Sequence, residues 1–327
     1  MEHRLAVRPP ADARRLLVSF APHAGARSLA RSAQQIGGML AAAGYLTEIT
    51  SDLVELSELA GRHHQAGALR AVLACGGDGT AAAVRGRVPL EVPLLVVPMG
   101  TENLLGKYIS QSPAPAAVAR TLDEGVSIDL DLGVARGPAS DERCFLMMFS
   151  AGFDAEIVRR LHQRRRGHIT HLSYLQPTLH TIRSYQYPLL TLYCHDTTRQ
   201  VAVPIRCRWA LGFNLPLYAR GWCAAPEAAG TDGLLDVCTF DRGSLPDGLR
   251  YLWHVIRGTH LQLADVRLIR CRAVRIEAPD AAQVAYQLDG DYGGTLPVDV
   301  ELMPEKLRLM VMPNVAERLG FLLPTPL

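Results

Sequence analysis

Two short glycine turns hold the residues of this sequence whose types and spacing could do chemistry. The first turn follows an apolar run at 68–75 and precedes a helix-forming stretch at 81–84. Its glycines let the backbone approach an anion closely, and the N–H groups at the start of a helix point toward that anion. The pattern predicts a phosphate-binding turn, with an ordinary glycine-rich strand-to-helix turn as the alternative. The turn consists of Gly76, Gly77, Asp78, Gly79 and Thr80.

The second turn contains Gly100, Thr101 and Asn103 and follows the apolar run at 92–97. Two strand-to-turn units of this kind place both turns at the carboxyl edge of one sheet, where ligands of α/β proteins bind. In the first turn, Asp78 adds a carboxylate that could hold Mg²⁺ through water, and Thr80 adds a hydroxyl. Neither turn fits the P-loop or the GxGxxG fingerprint.

The elements that position these turns alternate between strand and helix. This alternation predicts an α/β domain with a parallel sheet and helices on both faces. From about residue 128 the pattern changes to many strand-like runs with few helices, which predicts a mostly antiparallel β domain. The predicted strands of the first part are 16–20, 45–50, 68–75 and 92–97, and its helices are 28–43, 53–66 and 113–125. The later strands are 128–134, 144–149, 189–194, 201–213, 233–240, 266–277 and 284–288, with helices at 155–166, 172–185 and 245–257.

Composition limits the possible environments and partners of the chain. Charged residues make up 20% of the 327 residues, and the net charge of +2 is too small to favour nucleic acid. The seven cysteines lack zinc-binding spacing. Together with the lack of a signal-peptide pattern, they predict reduced thiols in a cytoplasmic protein. No apolar run is long enough to span a bilayer, so we expect any membrane contact to be peripheral.

The two turns and the order of the domains resemble the catalytic domain of the diacylglycerol kinase family. Its superfamily includes the sphingosine kinases, the ceramide kinases and, more distantly, the NAD kinases. The resemblance implies a nucleotide-binding α/β domain at 1–130 and a β-sandwich-like substrate domain at 131–304. A C-terminal segment at 305–327 would return to the first domain. The resemblance also implies that the active site lies in the cleft between the domains, and it adds Thr50 to the nucleotide site.

Several motifs carry the resemblance beyond the first turn. The second turn keeps the family's Gly-Thr-x-Asn, 150–155 matches the start of a helix in the second domain, and 226–237 matches an Asp-Gly-Leu-Leu segment. The sequence departs from the family pattern at four positions. These are Ala21 and Ala24 in place of Asn and Ser, Ala83 in place of Glu, and Asp291 in place of Glu.

The segment Asp289-Gly290-Asp291 matches the family's Asp-Gly-Glu. By resemblance, Asp291 is the general base that takes a proton from the substrate hydroxyl. Asp is one methylene shorter than Glu, so Asp289 is the reserve candidate. Without the resemblance, these residues form an ordinary surface turn.

By the same resemblance, Asp232 holds a structural Mg²⁺ together with the backbone carbonyls of Ala229 and Leu234. Oxygen ligands of this kind suit a hard cation. From the sequence alone, Asp232-Gly233 is most simply a turn that enters a strand.

A basic cluster follows the second glycine turn by about fifty residues. It contains Arg159, Arg160, Arg164, Arg165 and Arg166, with His162 and His168. One interpretation is a solvated helix face. The other is electrostatic docking to an anionic membrane, assisted by the apolar stretch at 172–175.

Taken together, the sequence predicts an ATP- and Mg²⁺-dependent lipid kinase. Its substrate is predicted to be a primary hydroxyl of a diacylglycerol-like or sphingoid lipid. One alternative is a kinase of a soluble alcohol, similar to the NAD kinases, although the Asn-Glu pair of that family is not found after the second turn. The other alternative is a non-catalytic nucleotide or lipid sensor.

Overall fold

The computed structural model describes residues 4–10, 12–20, 26–138, 142–163, 184–195, 204–279 and 283–325. The chain divides into two compact units, Met1–Leu130 with Glu305–Leu327, and Asp131–Pro304. Ala21, Ala24, Arg164, Arg165, Arg166, His168 and the stretch 172–175 lie outside the described residues.

The strands and helices of the described residues are numbered in chain order. The strands are β1 Arg4–Leu5, β2 Arg15–Phe20, β3 Leu46–Thr50, β4 Leu69–Gly76, β5 Leu94–Pro98, β6 Val126–Arg136, β7 Glu142–Phe145, β8 Met148–Ala151, β9 Leu190–His195, β10 Ile205–Cys207, β11 Trp209–Phe213, β12 Leu217–Tyr218, β13 Trp222–Cys223, β14 Leu235–Phe240, β15 Val266–Cys271, β16 Ala273–Glu277, β17 Ala285–Leu288, β18 Asp291–Thr295, β19 Val298–Val311 and β20 Phe321–Leu322. The helices are α1 Ala26–Ala42, α2 Leu53–Gln65, α3 Asp78–Arg85, α4 Leu104–Tyr108, α5 Pro115–Glu124, α6 Phe153–Gln163, α7 Leu245–Ile256 and α8 Pro313–Arg318.

The first unit contains a parallel sheet in the order β19–β5–β4–β2–β3. Successive residues of a strand point to opposite faces, and Leu16, Leu17 and Val18 are all fully buried. Both faces of the sheet are therefore covered. Leu16 and Val18 join the cluster formed with α1 and α5, and α2 packs against β2 and β4. The predicted α/β fold is confirmed.

The second unit is a mostly antiparallel β-sandwich, as predicted. One sheet has the order β15–β14–β11–β8–β17–β18, and the other contains β10, β9, β16 and the first residues of β19. Their inner faces share one apolar core, which includes Phe149, Leu192, Val237 and Ile276. Alternating inward-facing residues from two sheets are the expected arrangement of a sandwich core.

Some predicted elements differ from those of the structure. The stretch predicted as one strand at 266–277 is two strands, because β15 pairs with β14 and β16 pairs with β9 and β19. The break lies at Arg272, whose backbone N–H donates to the carbonyl of His195. The short helix α4 and the strand β18 were not predicted. Within the part of the chain that the structure describes, none of the helices is long and apolar enough to cross a membrane.

Candidate functional site

The two glycine turns lie side by side at the carboxyl ends of neighbouring parallel strands. Gly76 at the end of β4 is in register with Pro98 at the end of β5, and the N–H of Met99 donates to the Gly76 carbonyl at 2.8 Å. A Cβ atom at Gly100 would lie 2.9 Å from the Gly77 nitrogen and closer still to its Cα. Only glycine fits at position 100, and the backbones of the two turns therefore lie in direct contact.

Gly77 precedes the first residue of α3, and no side chain caps this helix start. The side chain of Thr80 folds back over Gly76, because a Cβ atom at Gly76 would lie 2.7 Å from the Thr80 Cβ. Gly79 is exposed in the first turn of α3. An uncapped helix start beside close-packed glycines is the local structure that suits a phosphate group.

Asp78 joins the first turn to the second. Its two carboxylate oxygens accept the backbone N–H groups of Leu104 and Leu105, each at 2.9 Å, and so cap the short helix α4. Desolvation by burial raises the pKa of the Asp78 carboxyl, although these two backbone hydrogen bonds oppose the change. The observed partners of Asp78 are thus backbone amides, and its contact with Mg²⁺ through water stays a prediction.

Asn103 closes the second turn upon itself. Its Oδ1 accepts the Gly100 N–H at 2.7 Å, and its Nδ2 donates to the Gly100 carbonyl at 2.8 Å. The residue has a left-handed backbone with φ of 51°, which asparagine tolerates better than most residues. Its amide therefore fixes the loop that contains Thr101, and the nucleotide contact predicted for Asn103 was not tested by this geometry.

Thr50 ends the edge strand β3 at the same carboxyl edge of the sheet. In register, Thr50 lies opposite Ser19, which lies opposite Ala74 of β4. Two strand spacings put it roughly 10 Å from Ala74, which is two residues before the first glycine turn. Its hydroxyl donates to Glu55 and accepts the Asp52 N–H at 3.0 Å. Thr50 is thus fixed at the start of α2.

In the second unit, Asp289 and Asp291 occupy different environments. The carboxylate of Asp289 accepts the backbone N–H groups of Leu146, Met147 and Met148 at 2.6, 2.8 and 2.9 Å. Asp291 is the first residue of β18 and is half-buried. Asp289 therefore holds the turn, and the assignment of Asp291 as the proton acceptor stays a prediction.

A buried polar network supports this turn and was missed by the sequence analysis. Gln287 accepts the Gly290 N–H at 2.7 Å and donates to Asp154 at 3.4 Å. Asp154 also accepts hydrogen bonds from Ser150, at 2.7 Å, and from the Tyr218 hydroxyl. Desolvation raises the pKa of the Asp154 carboxyl, while these three donors lower it. The only sequence signal was the motif that contains Ser150 and Asp154.

Asp232 has an intrachain partner at the predicted metal position. One of its carboxylate oxygens pairs with Arg270, and the other accepts the Leu234 N–H at 3.0 Å. Asp131 also binds the turn that contains Asp232, since its carboxylate accepts the Gly233 N–H at 2.8 Å. Among the described residues, no group of three His, Cys, Asp or Glu side chains could hold a metal ion. A cation at Asp232, Ala229 and Leu234 would thus compete with Arg270 for the Asp232 carboxylate, and this ligand set stays a prediction.

Asp236 is a buried carboxylate that sequence reasoning also missed. Neither of its oxygens has a hydrogen-bond partner in the described part of the chain, although the Arg270 Nε lies 3.3 Å from Oδ1. Burial raises the pKa of Asp236 to about 6, and the Arg270 charge opposes this increase. Its position between Leu235 and Val237, at the start of the mostly apolar strand Leu235–Phe240, was the available signal.

The described part of the basic cluster is partly neutralised within its own helix. Arg159 and Arg160 both bind Glu156, with Nε–O distances of 2.6 Å. His162 lies next to the ring of Tyr292, with 6.0 Å between ring centroids. The first two arginines are thus engaged by a carboxylate, which weakens their predicted role in membrane docking.

Comparison with known protein families gives two matches, one in each part of the chain. The diacylglycerol kinase catalytic domain matches residues 15–135, and the YegS C-terminal NAD kinase beta sandwich-like domain matches residues 147–311. A diacylglycerol kinase of Mycobacterium tuberculosis (strain CDC 1551 / Oshkosh) is 26% identical over 244 residues, which are 73% of this chain and 76% of that protein. A diacylglycerol kinase of Bacillus subtilis (strain 168) is 24% identical over 266 residues, which are 76% of this chain and 80% of that protein.

Solved structures show the same fold. A diacylglycerol kinase from Bacillus anthracis str. Sterne has a TM-score of 0.62 at 16% identity and covers 94% of this chain and 99% of its own. Another structure from the same strain has a TM-score of 0.67 at 18% identity, with coverage of 94% and 98%.

Proposed function

This chain belongs to the diacylglycerol kinase catalytic-domain family, and we propose that it is an ATP-dependent kinase of a lipid hydroxyl. The acceptor is a primary hydroxyl of a diacylglycerol-like or sphingoid lipid. Membership of the family supports phosphoryl transfer to a lipid in general terms. The nucleotide, the metal and the particular lipid are parts of the proposal.

The observation that carries the proposal is the backbone contact between the two glycine turns. A side chain at Gly100 would separate the turns, and glycine instead leaves bare backbone beside the start of α3. Phosphate groups of ATP suit such a surface, because its N–H groups and the helix start favour negative charge. Thr80 and Thr101 add hydroxyl groups at the same sheet edge.

In the proposed reaction, the lipid hydroxyl oxygen attacks the γ-phosphorus of ATP, and the bond to the β-phosphate oxygen breaks to release ADP. Asp291 accepts the proton of the attacking hydroxyl. Phosphoryl transfer depends mainly on positioning and on charge stabilisation. Mg²⁺ bound to the ATP phosphates would supply part of that stabilisation. Asp289 and Gln287 hold the turn that presents Asp291.

The predicted ion at Asp232 is not assigned a step in this reaction, because its proposed role is structural. The predicted active site in the cleft between the domains likewise stays a prediction. Peripheral membrane contact is part of the proposal, since a diacylglycerol-like substrate resides in a bilayer.

A second candidate is phosphorylation of a soluble alcohol. The observation in its favour is the C-terminal match to an NAD kinase beta sandwich-like domain. Against it stands the N-terminal match to the diacylglycerol kinase catalytic domain. One transfer assay separates the two candidates. It measures phosphate transfer from γ-labelled ATP to diacylglycerol, sphingosine, ceramide, phosphatidylglycerol and NAD, and we expect label in a lipid and none in NAD.

The nucleotide site is tested by Gly100→Ala, because its new Cβ would collide with the backbone of Gly77. We expect loss of ATP binding by calorimetry. Gly61→Ala is the matched control, since a Cβ there meets nothing within 4 Å. If Gly100→Ala does not fold, Gly77→Val is the second variant, because its Cβ would lie at an ordinary 3.4 Å from Gly100. A folded Gly77→Val protein with wild-type ATP affinity would contradict the assignment.

A further inference from the structure

Helix α7 of the second unit presents more apolar surface than the core covers. Its buried face is formed by Gly248, Tyr251 and Val255. At 100° per residue, a second group of apolar residues lies beside that face and points outward. Leu245, Leu249, Trp253 and Ile256 are 40, 49, 57 and 42% exposed. The polar residues of the helix occupy only the remaining sector.

These four residues, together with the nearby Leu261, form what we call the α7 stripe. Leu261 is 36% exposed, and it lies five residues after the last residue of α7, Ile256. The five exposed fractions correspond to roughly 400 Å² of apolar surface, about half of the area that each partner contributes to a standard protein–protein interface. The stripe is therefore as large as the largest apolar patch of a typical monomer, a size that is often functional, but it is small for a stable dimer of this chain.

The charges around the α7 stripe favour an anionic partner. Arg257 lies over the ring of Trp253, 5.4 Å from its centroid, at the C-terminal end of the stripe. Arg242 and Arg250 share a single carboxylate, Asp265, so this pair leaves one positive charge. Asp241 is paired with Arg267, and Asp247 accepts a hydrogen bond from Ser244 at the helix start. Four guanidinium groups thus outnumber three carboxylates.

The α7 stripe is connected to the network that supports the proposed base. Helix α7 packs against β13, and Trp222 of β13 pairs with Tyr218 of β12. The hydroxyl of Tyr218 donates to Asp154, whose partner Gln287 holds the turn of Asp291. Directly after α7, His260 fixes the same region through the Ala224 carbonyl at 2.8 Å.

We propose that the α7 stripe is the surface on which this protein docks to a bilayer that contains anionic lipid headgroups. Leucine and isoleucine side chains enter the interface, Trp253 lies at headgroup level, and Arg257 with its neighbours contacts the anionic groups. This inference rests on the proposed lipid kinase function, because it supplies the route by which such an enzyme meets a substrate in a bilayer.

Vesicle sedimentation with the full chain tests the docking without reference to catalysis. The vesicles contain phosphatidylcholine alone or with phosphatidylglycerol. We expect Leu249→Glu to lower binding to both kinds at least about tenfold, since it places a charge in the interface. Leu322→Glu is the matched control, because Leu322 is a leucine of similar exposure, 47%, in the other unit. Arg257→Gln should lower binding to the anionic vesicles alone by about fivefold, the factor that corresponds to roughly 1 kcal/mol.

Trp253 is also a direct reporter. Bromine-labelled acyl chains should quench part of the tryptophan fluorescence of the wild type, and Trp253→Phe should remove that quenching while vesicle binding remains. Equal binding of wild type and Leu249→Glu, or no binding to either vesicle, would overturn the proposal. A dimer that Leu249→Glu dissociates, with vesicle binding unchanged, would also overturn it in favour of a second copy as the occupant.

An activity pair separates failure of the docking from failure of the proposed function. Leu249→Glu should lose turnover on diacylglycerol in vesicles and keep turnover on a water-soluble short-chain diacylglycerol. Loss on both substrates in a folded variant contradicts a docking role. If the wild type phosphorylates neither substrate, the proposed function fails, and the sedimentation result alone decides the docking.

Discussion

Asp78 and Asp289 occupy equivalent places in two turns of different units, and both bind distant backbone. Asp78 accepts N–H groups from residues 26 and 27 positions later, and Asp289 accepts N–H groups from residues 141 to 143 positions earlier. Each precedes a glycine. The first turn needs bare backbone beside its aspartate, whereas the second has another carboxylate, Asp291, two residues on.

This difference shows that the residues of one short motif can have different roles, some structural and others chemical. In the first unit, the aspartate fixes the turns, and the glycines leave the surface on which phosphate would bind. In the second unit, Asp289 fixes the turn, and Asp291 is the proton acceptor that we propose. An Asp-Gly pair in sequence is therefore not by itself evidence that the aspartate reacts with substrate.

The largest expected effect separates the two carboxylates of the second turn. Asp291→Asn keeps the size of the side chain and cannot accept a proton at neutral pH. We expect turnover to fall by about 10²–10⁴-fold, the usual contribution of a general base, with little change in ATP binding. Steady-state kinetics and calorimetry measure the two quantities.

Asp291→Glu is the control for this experiment, because the family has glutamate at this position, and it should keep or raise activity. Normal turnover of Asp291→Asn with inactive Asp289→Asn would move the base to Asp289 and remove the contrast between them. If neither change alters an active wild type, the catalytic site is wrong.

The next effect is on stability. Asp289→Ala removes the acceptor of three buried N–H groups, each of which costs about 1–3 kcal/mol when unpaired. Water at the half-buried turn offsets part of this cost, so we expect a loss of about 3 kcal/mol in the free energy of unfolding, and less for Asp289→Asn. Denaturant titration measures the loss, and an unchanged midpoint would show that Asp289 does not hold the turn.

Sequence reasoning found the residues of these turns but not their partners. The glycine turns are local, and both the preceding apolar runs and the parallel sheet follow from patterns within a few residues. The hydrogen bond from Tyr218 to Asp154 joins residues 64 positions apart, and Asp232 meets Arg270 across 38 positions. Such contacts depend on which strands become neighbours, and hydrophobic periodicity does not specify that order.

The errors in predicting helix α4 and the strand at 266–277 have the same physical cause. Helix α4 has only five residues and depends on Asp78 for its cap, so its own sequence is too short to indicate a helix. The stretch at 266–277 has apolar and charged residues interspersed along its whole length, and the point at which it passes from one sheet to the other is set by the pairing of β16 with β9. Local propensity carries no information on either tertiary contact.

A smaller effect on rate is expected at Gln287, which links Asp154 to the second turn. Gln287→Leu removes both hydrogen bonds, and slight displacement of a reacting group can cost up to about 10²-fold. We expect turnover to fall by about 10-fold to 100-fold, less than in Asp291→Asn, with the KM for ATP unchanged. Gln287→Glu retains an acceptor for the Gly290 N–H and should recover part of the activity. Equal activity of Gln287→Leu and the wild type would show that the network does not position Asp291.

The partly exposed pair of Asp232 and Arg270 gives a still smaller effect. The pair with Asp232 contributes about 0–1 kcal/mol. Arg270→Gln also removes the positive charge beside the buried Asp236, so it should lower stability in the absence of metal. If Mg²⁺ binds at Asp232, it competes with Arg270, and the Mg²⁺-dependent rise in melting temperature should be larger in Arg270→Gln than in the wild type. Asp232→Ala should abolish that rise. An identical Mg²⁺ response in all three proteins would leave Asp232 as a turn residue, similar to Asp289.

The smallest net change at neutral pH is expected for Asp78→Asn, because two effects oppose each other. The variant loses an oxygen acceptor for one N–H group of α4, but it also removes a carboxylate that burial destabilises in its charged form. Since desolvation raises the pKa of Asp78 in the folded state, the native protein binds more protons than the unfolded chain between the ordinary value of 3.8 and the raised value. The contribution of Asp78 to stability therefore falls as pH rises through that window. Asp78→Asn lacks this contribution. The wild type should therefore approach the stability of the variant at acid pH and become less stable relative to the variant as pH rises.

Denaturant titrations of both proteins across the window measure the difference, with the exposed Asp12→Asn as control. A difference that does not change with pH would mean that Asp78 is as well solvated as a surface carboxylate, and the two turns would then differ less than their geometry indicates.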